Sequence, residues 1–183
     1  MPSHSLVGLC GSLRKGSFNR KLLAEAVRLF DPADYAEGDL RLPLYDGDLE
    51  DAEGVPEAAM HLARQIAAAD AVVIACPEYN KALSGVMKNA LDWISRTKLG
   101  PWKGKPVAIV SATGGRAGGE RAQYSLRLCL VPFRPRLLPG PEVLVGDTEA
   151  QFDAEGRLTN ARNLAALTEL MDELHAEVRR TRA

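Results

Sequence analysis

The sequence predicts an α/β fold in which helices cover both faces of a parallel sheet. Short apolar runs alternate along the chain with longer segments of helical period, which is typical of βαβ units. One run, Ala71 to Cys76, is continuously apolar and therefore predicts a central strand that is covered on both faces. The chain has 183 residues, the size of an ordinary domain, so we expect residues 1–183 to form a single domain.

The first half of the chain predicts two further strands and two helices. Ser5 to Cys10 forms the first strand, and a weak second strand is expected within Asp34 to Leu42 because its apolar content is low. Leu44 to Val55 is expected to be an acidic loop, with Pro56 in the first turn of the following helix. The helix between the two strands ends before Asp31 and carries one apolar stripe, formed by Leu22, Leu23, Ala26, Val27 and Phe30.

In the second half, serine and proline residues mark the element boundaries. Ser84 is suited to cap a helix that runs through Arg96. Pro106 to Ser111 predicts strand four, and Arg121 to Leu130 predicts a helix that ends near Pro132. Because Pro139 and Pro141 cannot donate to a sheet, strand five is restricted to Glu142 to Val145.

The last third predicts a surface excursion followed by a terminal helix. Residues 151–158 contain a turn at Gly156, and Thr159 or Asn160 then caps the helix. The helix carries an apolar stripe that reaches Val178. Its basic end, with Arg179, Arg180 and Arg182, is interpreted as solvated.

Charge and composition argue against several classes of partner. Twenty-three basic and twenty-four acidic side chains give a net charge of -1, so no overall field attracts nucleic acid or an anionic membrane. Residues 1–9 lack the cationic and apolar pattern of a leader, and no segment approaches about 18 uninterrupted apolar residues. We therefore expect a cytoplasmic protein that binds neither nucleic acid nor membrane.

Cysteine and histidine spacing indicates neither disulfides nor a metal site. The three cysteines are odd in number and far apart, which favours reduced thiols; a reactive thiol is the lesser alternative for Cys10 and Cys76, which end apolar runs. Three histidines share no metal-ligand spacing: His4, His61 and His175. The second and third of them are expected to be solvated.

The turn after strand one has the composition of an anion site. We call residues Gly11–Asn19 the anion cup: two glycines permit a tight turn, and the following helix directs free N–H groups at it. Arg14 adds a charge suited to phosphate oxygens. The cup lacks the G-x-G-x-x-G fingerprint, which argues against a dinucleotide-binding site. It also lacks the G-K-[ST] ending of a P-loop, which argues against an NTPase. A polar loop whose serines only cap the helix is the alternative.

Two other segments reach the same edge of the sheet. After the central strand, Pro77-Glu78-Tyr79-Asn80-Lys81 exposes backbone groups that a flat heterocycle can contact, or else forms a simple capping turn. After strand four, Ser111 to Gly119 holds four glycines and two hydroxyl side chains in nine residues. That composition suits a loop that passes close to a ligand, and equally a mobile loop.

Four motifs in register resemble the NADPH-dependent FMN reductase family, particularly its chromate, quinone and azo-dye reductase branch. They are G-S-L-R-K-G-S-F-N-R at 11–20, L-P-L-Y-D-G-D-L at 42–49, P-E-Y-N at 77–80 and V-M-K-N-A-L-D-W-I-S-R at 86–96. The match covers residues 5–130. The resemblance implies a flavodoxin-like three-layer doubly wound sandwich with a five-stranded parallel sheet of order 2-1-3-4-5, non-covalent FMN, and NADPH or NADH as co-substrate.

The resemblance also assigns the site residues. The FMN phosphate and the nearby ribityl chain fall to Ser12, Arg14, Ser17, Phe18 and Asn19. The isoalloxazine ring falls to Pro77, Glu78, Tyr79 and Asn80. Its far side is approached by Ser111, Thr113, Gly114 and Gly115.

Assembly and acceptor range are further implications. The family forms homodimers or homotetramers, which would place the helix Lys88 to Arg96 near a subunit contact, whereas Trp93 within it can equally be a core residue. Lys81 stands where many relatives have a small or aromatic residue, which predicts a more cationic wall beside the flavin and a shifted acceptor range.

The implied reaction is hydride transfer from NADPH or NADH through FMN to a small acceptor such as a quinone, an azo dye, chromate or free flavin. Because the cofactor carries this chemistry, no acid-base pair is required, and we expect a ping-pong cycle on one exposed face with backbone N–H groups of residues 78–80 facing the ring. Two alternatives are a flavodoxin-like electron carrier without a nicotinamide site and a scaffold that has lost FMN. The cations around the cup argue against a carrier, which usually presents an acidic face.

Overall fold

A single parallel sheet forms the centre of the molecule; the computed structural model describes residues 4–182. Its strands run in the order β2-β1-β3-β4, and the edge position beside β4 is shared by β5 and β6. This topology confirms the flavodoxin-like order 2-1-3-4-5. The strand bounds are β1 Ser5–Cys10, β2 Asp34–Gly38, β3 Ala71–Ala75, β4 Pro106–Ala112, β5 Arg136–Leu137 and β6 Val143–Val145.

Helices cover both faces of the sheet and bury one apolar cluster on each. Helices α1 and α6 pack with one cluster, which contains Phe30, Leu174 and the alternate residues of β1, β3 and β4. The other cluster contains residues of α3, α4 and α5 and the opposite alternation of the same strands. The helix bounds are α1 Phe18–Phe30, α2 Gly47–Glu53, α3 Glu57–Ala68, α4 Gly85–Arg96, α5 Glu120–Leu130 and α6 Ala161–Arg182.

The edge of the sheet beside β4 differs from the sequence prediction, which expected a single strand, the fifth, at residues 142–145. Two short strands pair with β4 there: Arg136 lies beside Pro106 at the start of β4, and Val143 to Val145 pair with its last residues. The backbone between them contains Pro139 and Pro141, which have no N–H to donate. The sheet described here therefore has six strands.

Helix α2 lies inside the segment 44–55 that was predicted to be a loop, so that prediction is wrong for Gly47–Glu53. The Oδ1 atom of Asp46 accepts from the N–H of Asp48 at 2.9 Å and caps the helix. None of its residues is buried, which explains why no apolar stripe indicated it. Glu50 instead anchors the helix by accepting from Arg96 Nε at 2.8 Å and from the Tyr45 hydroxyl at 3.0 Å.

Several local expectations need correction. Ser84 occupies the N-cap position of α4, but its side chain makes no capping hydrogen bond. His175 is half-buried, not solvated: its ring stacks on Phe30 with centroids 3.9 Å apart.

The basic end of α6 is partly anchored, since Arg182 contacts Asp70 at 2.5 Å. Trp93 is fully buried and donates to the Pro43 carbonyl at 2.8 Å, as the core interpretation expects.

The segment 151–158 packs against the core and is therefore more than a surface excursion. Leu158 is 4 % exposed and belongs to the cluster beneath α1 and α6. The predicted turn at Gly156 is present, with φ 81°. Asn160 is the cap of α6, because its Oδ1 accepts from the N–H groups of Arg162 and Asn163 at 3.1 Å each.

Across residues 4–182, no helix has both the length and the apolar content needed to cross a membrane. No group of three or more His, Cys, Asp or Glu side chains in that same range is arranged to hold a metal ion. The topology instead brings the turns after β1, β3, β4 and β6 to one edge of the sheet, where a doubly wound fold binds its ligands.

Candidate functional site

A cleft of about 160 Å³ opens at the carboxyl edge of the sheet between the predicted segments. Its lining consists of Ser12, Arg14, Ser17, Phe18, Asn19, Pro77, Glu78, Tyr79, Ala112, Thr113, Gly114 and Thr148. Of the predicted site residues, Asn80, Ser111 and Gly115 lie outside this lining. A larger hollow of about 830 Å³, beside Pro135–Pro141 and α6, lies where β5 meets the start of β4 and is therefore remote from the predicted segments.

The anion cup is tied to the sheet by its backbone. The N–H of Gly11 donates to the Ala75 carbonyl at 2.8 Å. A Cβ at Gly11 would lie 2.9 Å from Ser84 Oγ and 3.0 Å from Pro77 Cδ, so the close approach of the two segments requires glycine. Ser12 is 3 % exposed, and no hydrogen bond joins its hydroxyl to another of residues 4–182.

Helix α1 opens directly onto this cup. Ser17 occupies its N-cap position without a capping hydrogen bond from its side chain, contrary to the alternative in which the serines only cap the helix. The N–H groups of Phe18 and Asn19 have no partner among residues 4–182, whereas that of Arg20 donates to Ser17 O at 3.1 Å. The helix dipole adds positive potential at this end. Asn19, in that turn, is 3 % exposed and pairs with the backbone of Ala112.

The segment after β3 forms a tight two-residue hairpin. The N–H of Tyr79 donates to Ala82 O at 3.0 Å, and the N–H of Ala82 donates to Tyr79 O at 3.1 Å. Asn80 and Lys81 both have left-handed φ, 50° and 67°, as a type I′ turn requires. Glu78 accepts from the N–H of Arg121 at 3.1 Å, which links this hairpin to the start of α5. Tyr79, 48 % exposed, lies at the mouth of the cleft.

Ser111 lies beneath the third segment and is engaged by protein groups. Its buried hydroxyl donates to Gly118 O at 2.6 Å and accepts from Gln123 Nε2 at 3.0 Å. Gly118 and Gly119 have φ of 61° and 93°, which only glycine adopts without strain. Ser111 therefore shapes the loop whose Thr113 and Gly114 line the cleft.

The thiols near the site are not poised to react. Burial raises the pKa of Cys76 to about 11 and also raises the pKa of Cys10. Both remain protonated near neutral pH and serve as small apolar residues. The exposed charges at the rim include Arg14, Lys15 and Arg116, whereas Arg20 pairs with Glu37.

Two lining residues escaped the sequence prediction. Ala112 carries no functional group, and only its place at the end of β4 indicates it. Thr148 follows β6 and lies outside the three segments that were singled out by composition. The rule that ligands bind at the carboxyl ends of parallel strands would have found it, had the turn after the last strand been included.

These residues fit a bound monophosphate. The Ser12 hydroxyl lines the cleft and has no partner among residues 4–182. Together with a helix N-terminus that has no side-chain cap and an arginine at the rim, it supplies donors that suit a phosphate group. The hairpin at Tyr79 faces the same cleft and leaves an open side where a planar ring can lie. The arrangement is therefore suited to FMN, whose phosphate and ring are separated by a flexible chain.

Comparisons with known proteins give the same picture. The chain is 42% identical over 179 residues to an NAD(P)H-dependent FMN reductase of Pseudomonas aeruginosa, covering 97% of this chain and 96% of that protein. It is 40% identical over 168 residues to a quinone reductase of Escherichia coli, covering 89% of each. The flavoenzyme NAD(P)H:(acceptor) oxidoreductase FerB of Paracoccus denitrificans superposes with a TM-score of 0.86 at 29% identity, covering 97% and 98% of the chains.

The family model for NADPH-dependent FMN reductases matches residues 5–150. That range contains all three predicted segments and every residue that lines the cleft. The predicted resemblance is confirmed, and with it an oxidoreductase that depends on FMN and a nicotinamide nucleotide. This chain belongs to the NADPH-dependent FMN reductase family.

Proposed function

We propose that this protein is a quinone reductase in which NADPH or NADH reduces FMN held non-covalently in the cleft. Azo dyes, chromate and free flavin are further acceptors within the same proposal. The observation that carries it is that Ser12, whose hydroxyl has no partner among residues 4–182, lines the same cleft as Tyr79 beside the N-terminus of α1, which has no side-chain cap.

The proposed FMN contacts divide between the segments. The phosphate and ribityl chain are assigned to Ser12, Arg14, Ser17, Phe18 and Asn19. The ring is assigned to Pro77, Glu78, Tyr79 and Asn80 on one side and to Thr113, Gly114 and Gly115 on the other. Ser111 is assigned an indirect role, since its hydroxyl already bonds Gly118 and Gln123.

When bound, FMN accepts a hydride from the nicotinamide and passes reducing equivalents to the acceptor. The protein binds and orients, and the N–H groups of Glu78 and Asn80 are available to face negative charge on the ring. The N–H of Tyr79 is not available, since it donates to Ala82 O. Of the three backbone N–H groups at residues 78–80 that were expected to face the ring, two therefore remain. Because one open side of the cleft serves both the nicotinamide nucleotide and the acceptor, the two bind there in turn.

An anaerobic titration tests the proposal. The purified holoprotein should be yellow, and NADPH should bleach it. Colour without bleaching would indicate an electron carrier, and a protein that binds no flavin would indicate a scaffold; either outcome would contradict the proposal. In steady state, double-reciprocal lines for NADPH at several quinone concentrations should be parallel, whereas intersecting lines would contradict alternation at one face.

Assembly, compartment and domain organisation complete the proposal. We propose a homodimer or homotetramer, supported by an exposed apolar stripe on and after α5 formed by Tyr124, Leu128 and Val131. Light scattering of the holoprotein tests it, and a monomeric mass would contradict it.

The free thiols of Cys10 and Cys76 support a cytoplasmic location, and we expect residues 1–183 to act as one FMN-binding domain.

A further inference from the structure

Thr148 lines the cleft from an element that no motif indicated. It follows β6, after Asp147 in the left-handed region with φ 47°, and begins a short 3-10 turn over Thr148–Ala150. Its exposed fraction is 2 %. Its hydroxyl forms no hydrogen bond with any residue between 4 and 182. Because Thr148 lines the cleft, this hydroxyl is available to a ligand bound there.

The segment that carries Thr148 is folded back on itself. We call residues 147–158 the edge flap. The N–H of Asp153 donates to Arg157 O at 3.0 Å, and the N–H of Thr159, just beyond it, donates to Gln151 O at 2.9 Å. These bonds make the edge flap a compact hairpin.

The edge flap is fixed against the first turn of α1. Phe152 stacks on Phe18, the first residue of α1, with ring centroids 5.6 Å apart and an interplanar angle of 29°. Thr148, four residues before Phe152, is thereby held near the N-terminus of α1. Thr148 and the residues at that helix end line the same cleft.

An ion pair fixes the far side of the edge flap to α1. Arg157 Nη1 lies 2.8 Å from Glu25 Oε1, and Glu25 is 3 % exposed. Arg28 also contacts Glu25, at 3.1 Å from within α1. Burial alone would raise the pKa of Glu25, but the hydrogen bonds from Arg28 and Arg157 outweigh it and leave the pKa lowered. The carboxylate is therefore ionised and available to both arginines.

We infer that the Thr148 hydroxyl donates to a phosphate oxygen of FMN, and that the Arg157–Glu25 pair is a positioning contact that helps the Phe152–Phe18 stack to hold the edge flap in place for it. This inference rests on the proposed FMN site and adds a fourth segment to it. It extends the contact set beyond the three segments that composition and resemblance assign.

Replacing the hydroxyl tests the contact itself. Thr148→Val keeps the shape, and Thr148→Ser keeps the donor. Loss of a hydrogen bond to a charged group should raise the dissociation constant of FMN, measured by quenching of flavin fluorescence, about tenfold in Thr148→Val, with Thr148→Ser close to wild type. Riboflavin, which lacks the phosphate, should bind both variants like wild type. Equal weakening of FMN and riboflavin, or none, would overturn the inference.

Arg157 and Arg28 both contact the Glu25 carboxylate, so replacing each of them in turn gives a matched pair of variants that tests the positioning role. Arg157→Met removes one contact that holds the edge flap while Glu25 keeps Arg28, and Arg28→Met removes the other partner of Glu25 while that contact remains. We expect FMN to leave the Arg157→Met holoprotein several-fold faster and the Arg28→Met holoprotein at the wild-type rate. Equal release rates would overturn the positioning role, whereas a wild-type protein that binds no FMN would overturn the proposed function itself.

Discussion

The side chain of Asn19 pairs with Ala112 as one strand pairs with another. Its Nδ2 donates to Ala112 O at 2.7 Å, and its Oδ1 accepts from Ala112 N at 3.0 Å. Asn19 lies in the first turn of α1 and Ala112 ends β4, so this pair sets the distance between the anion cup and the loop after β4. Both walls of the cleft therefore depend on one buried amide.

Asn19→Asp should break this pair and lower stability. The carboxylate cannot donate to Ala112 O, and a buried unsatisfied group costs about 1–3 kcal/mol. The added negative charge should also weaken FMN. Urea unfolding and flavin fluorescence measure the two effects. Asn160→Asp is the control, since Asp caps a helix as well as Asn does; equal behaviour of the two variants would contradict the role of the Asn19 amide.

Gly11→Ala should be destabilising and should loosen FMN, because its Cβ would lie 2.9 Å from Ser84 Oγ and 3.0 Å from Pro77 Cδ. The cup and the hairpin would have to separate. Gly16→Ala is the matched variant, since a Cβ there meets no atom within 4 Å. Thermal unfolding should show a lower midpoint for Gly11→Ala alone, and similar midpoints would mean that the contact at Gly11 is not tight.

Arg14→Ala should weaken FMN about tenfold, the size expected when a charge-assisted hydrogen bond is lost. Riboflavin affinity should stay unchanged because the effect is on the phosphate. Lys15→Ala, which removes a neighbouring exposed charge that lines no part of the cleft, should have a smaller effect. If Arg14→Ala binds FMN like wild type, Arg14 does not contact the phosphate.

Lys81→Gly should stabilise the protein while it alters the acceptor range. A side chain at φ 67° costs about 1–2 kcal/mol relative to glycine. Loss of the cation should raise KM for anionic acceptors more than for neutral quinones. Lys98→Gly is the control, because Lys98 also has a left-handed φ, 56°, but lies beyond the far end of α4. A KM change shared by both variants, or absent from both, would contradict a role for Lys81 in acceptor choice.

The buried His4 should make stability fall in mild acid. Burial, with Arg182 and His175 close by, lowers the pKa of His4 below its ordinary value of 6.5, while Asp70 acts in the opposite sense and Arg179 adds to the lowering. Below pH 6.5 the unfolded chain therefore binds a proton that the folded chain does not yet bind, so stability decreases as the pH falls towards the lowered pKa.

His4→Phe removes this titration and keeps an aromatic ring. The loss of unfolding free energy between pH 7.5 and pH 5.5, measured in urea, should be smaller in the variant than in wild type. An equal loss in both proteins would assign the pH dependence to other groups.

Elements with strong apolar periodicity were predicted almost to the residue. The predicted bounds of β1 agree with the structure, and α1 ends at Phe30 as its stripe indicates. Helix α2 was missed because it buries nothing and depends on the Asp46 cap and on Glu50. The position of His175 against Phe30 is a tertiary contact that helical period alone does not indicate.

The site was predictable where composition was unusual. Glycine, serine and arginine after β1 and the P-E-Y-N turn after β3 identified most of the cleft. Thr148 was not found, because a lone threonine after a short edge strand has no distinctive neighbours. The resemblance assigns Ser111 to the side of the site that faces the flavin ring. Whether its hydroxyl is exposed or already hydrogen-bonded depends on Gln123, which is 12 residues away in the sequence.

The interrupted strand beside β4 affects how the molecule behaves in a crowded solution. An edge strand normally presents an unbroken row of free amides and carbonyls that a second chain can extend. Here the row is divided between Arg136–Leu137 and Val143–Val145, and the prolines between them offer no donor. Neighbouring molecules thus find no continuous template for strand addition at this border of the sheet.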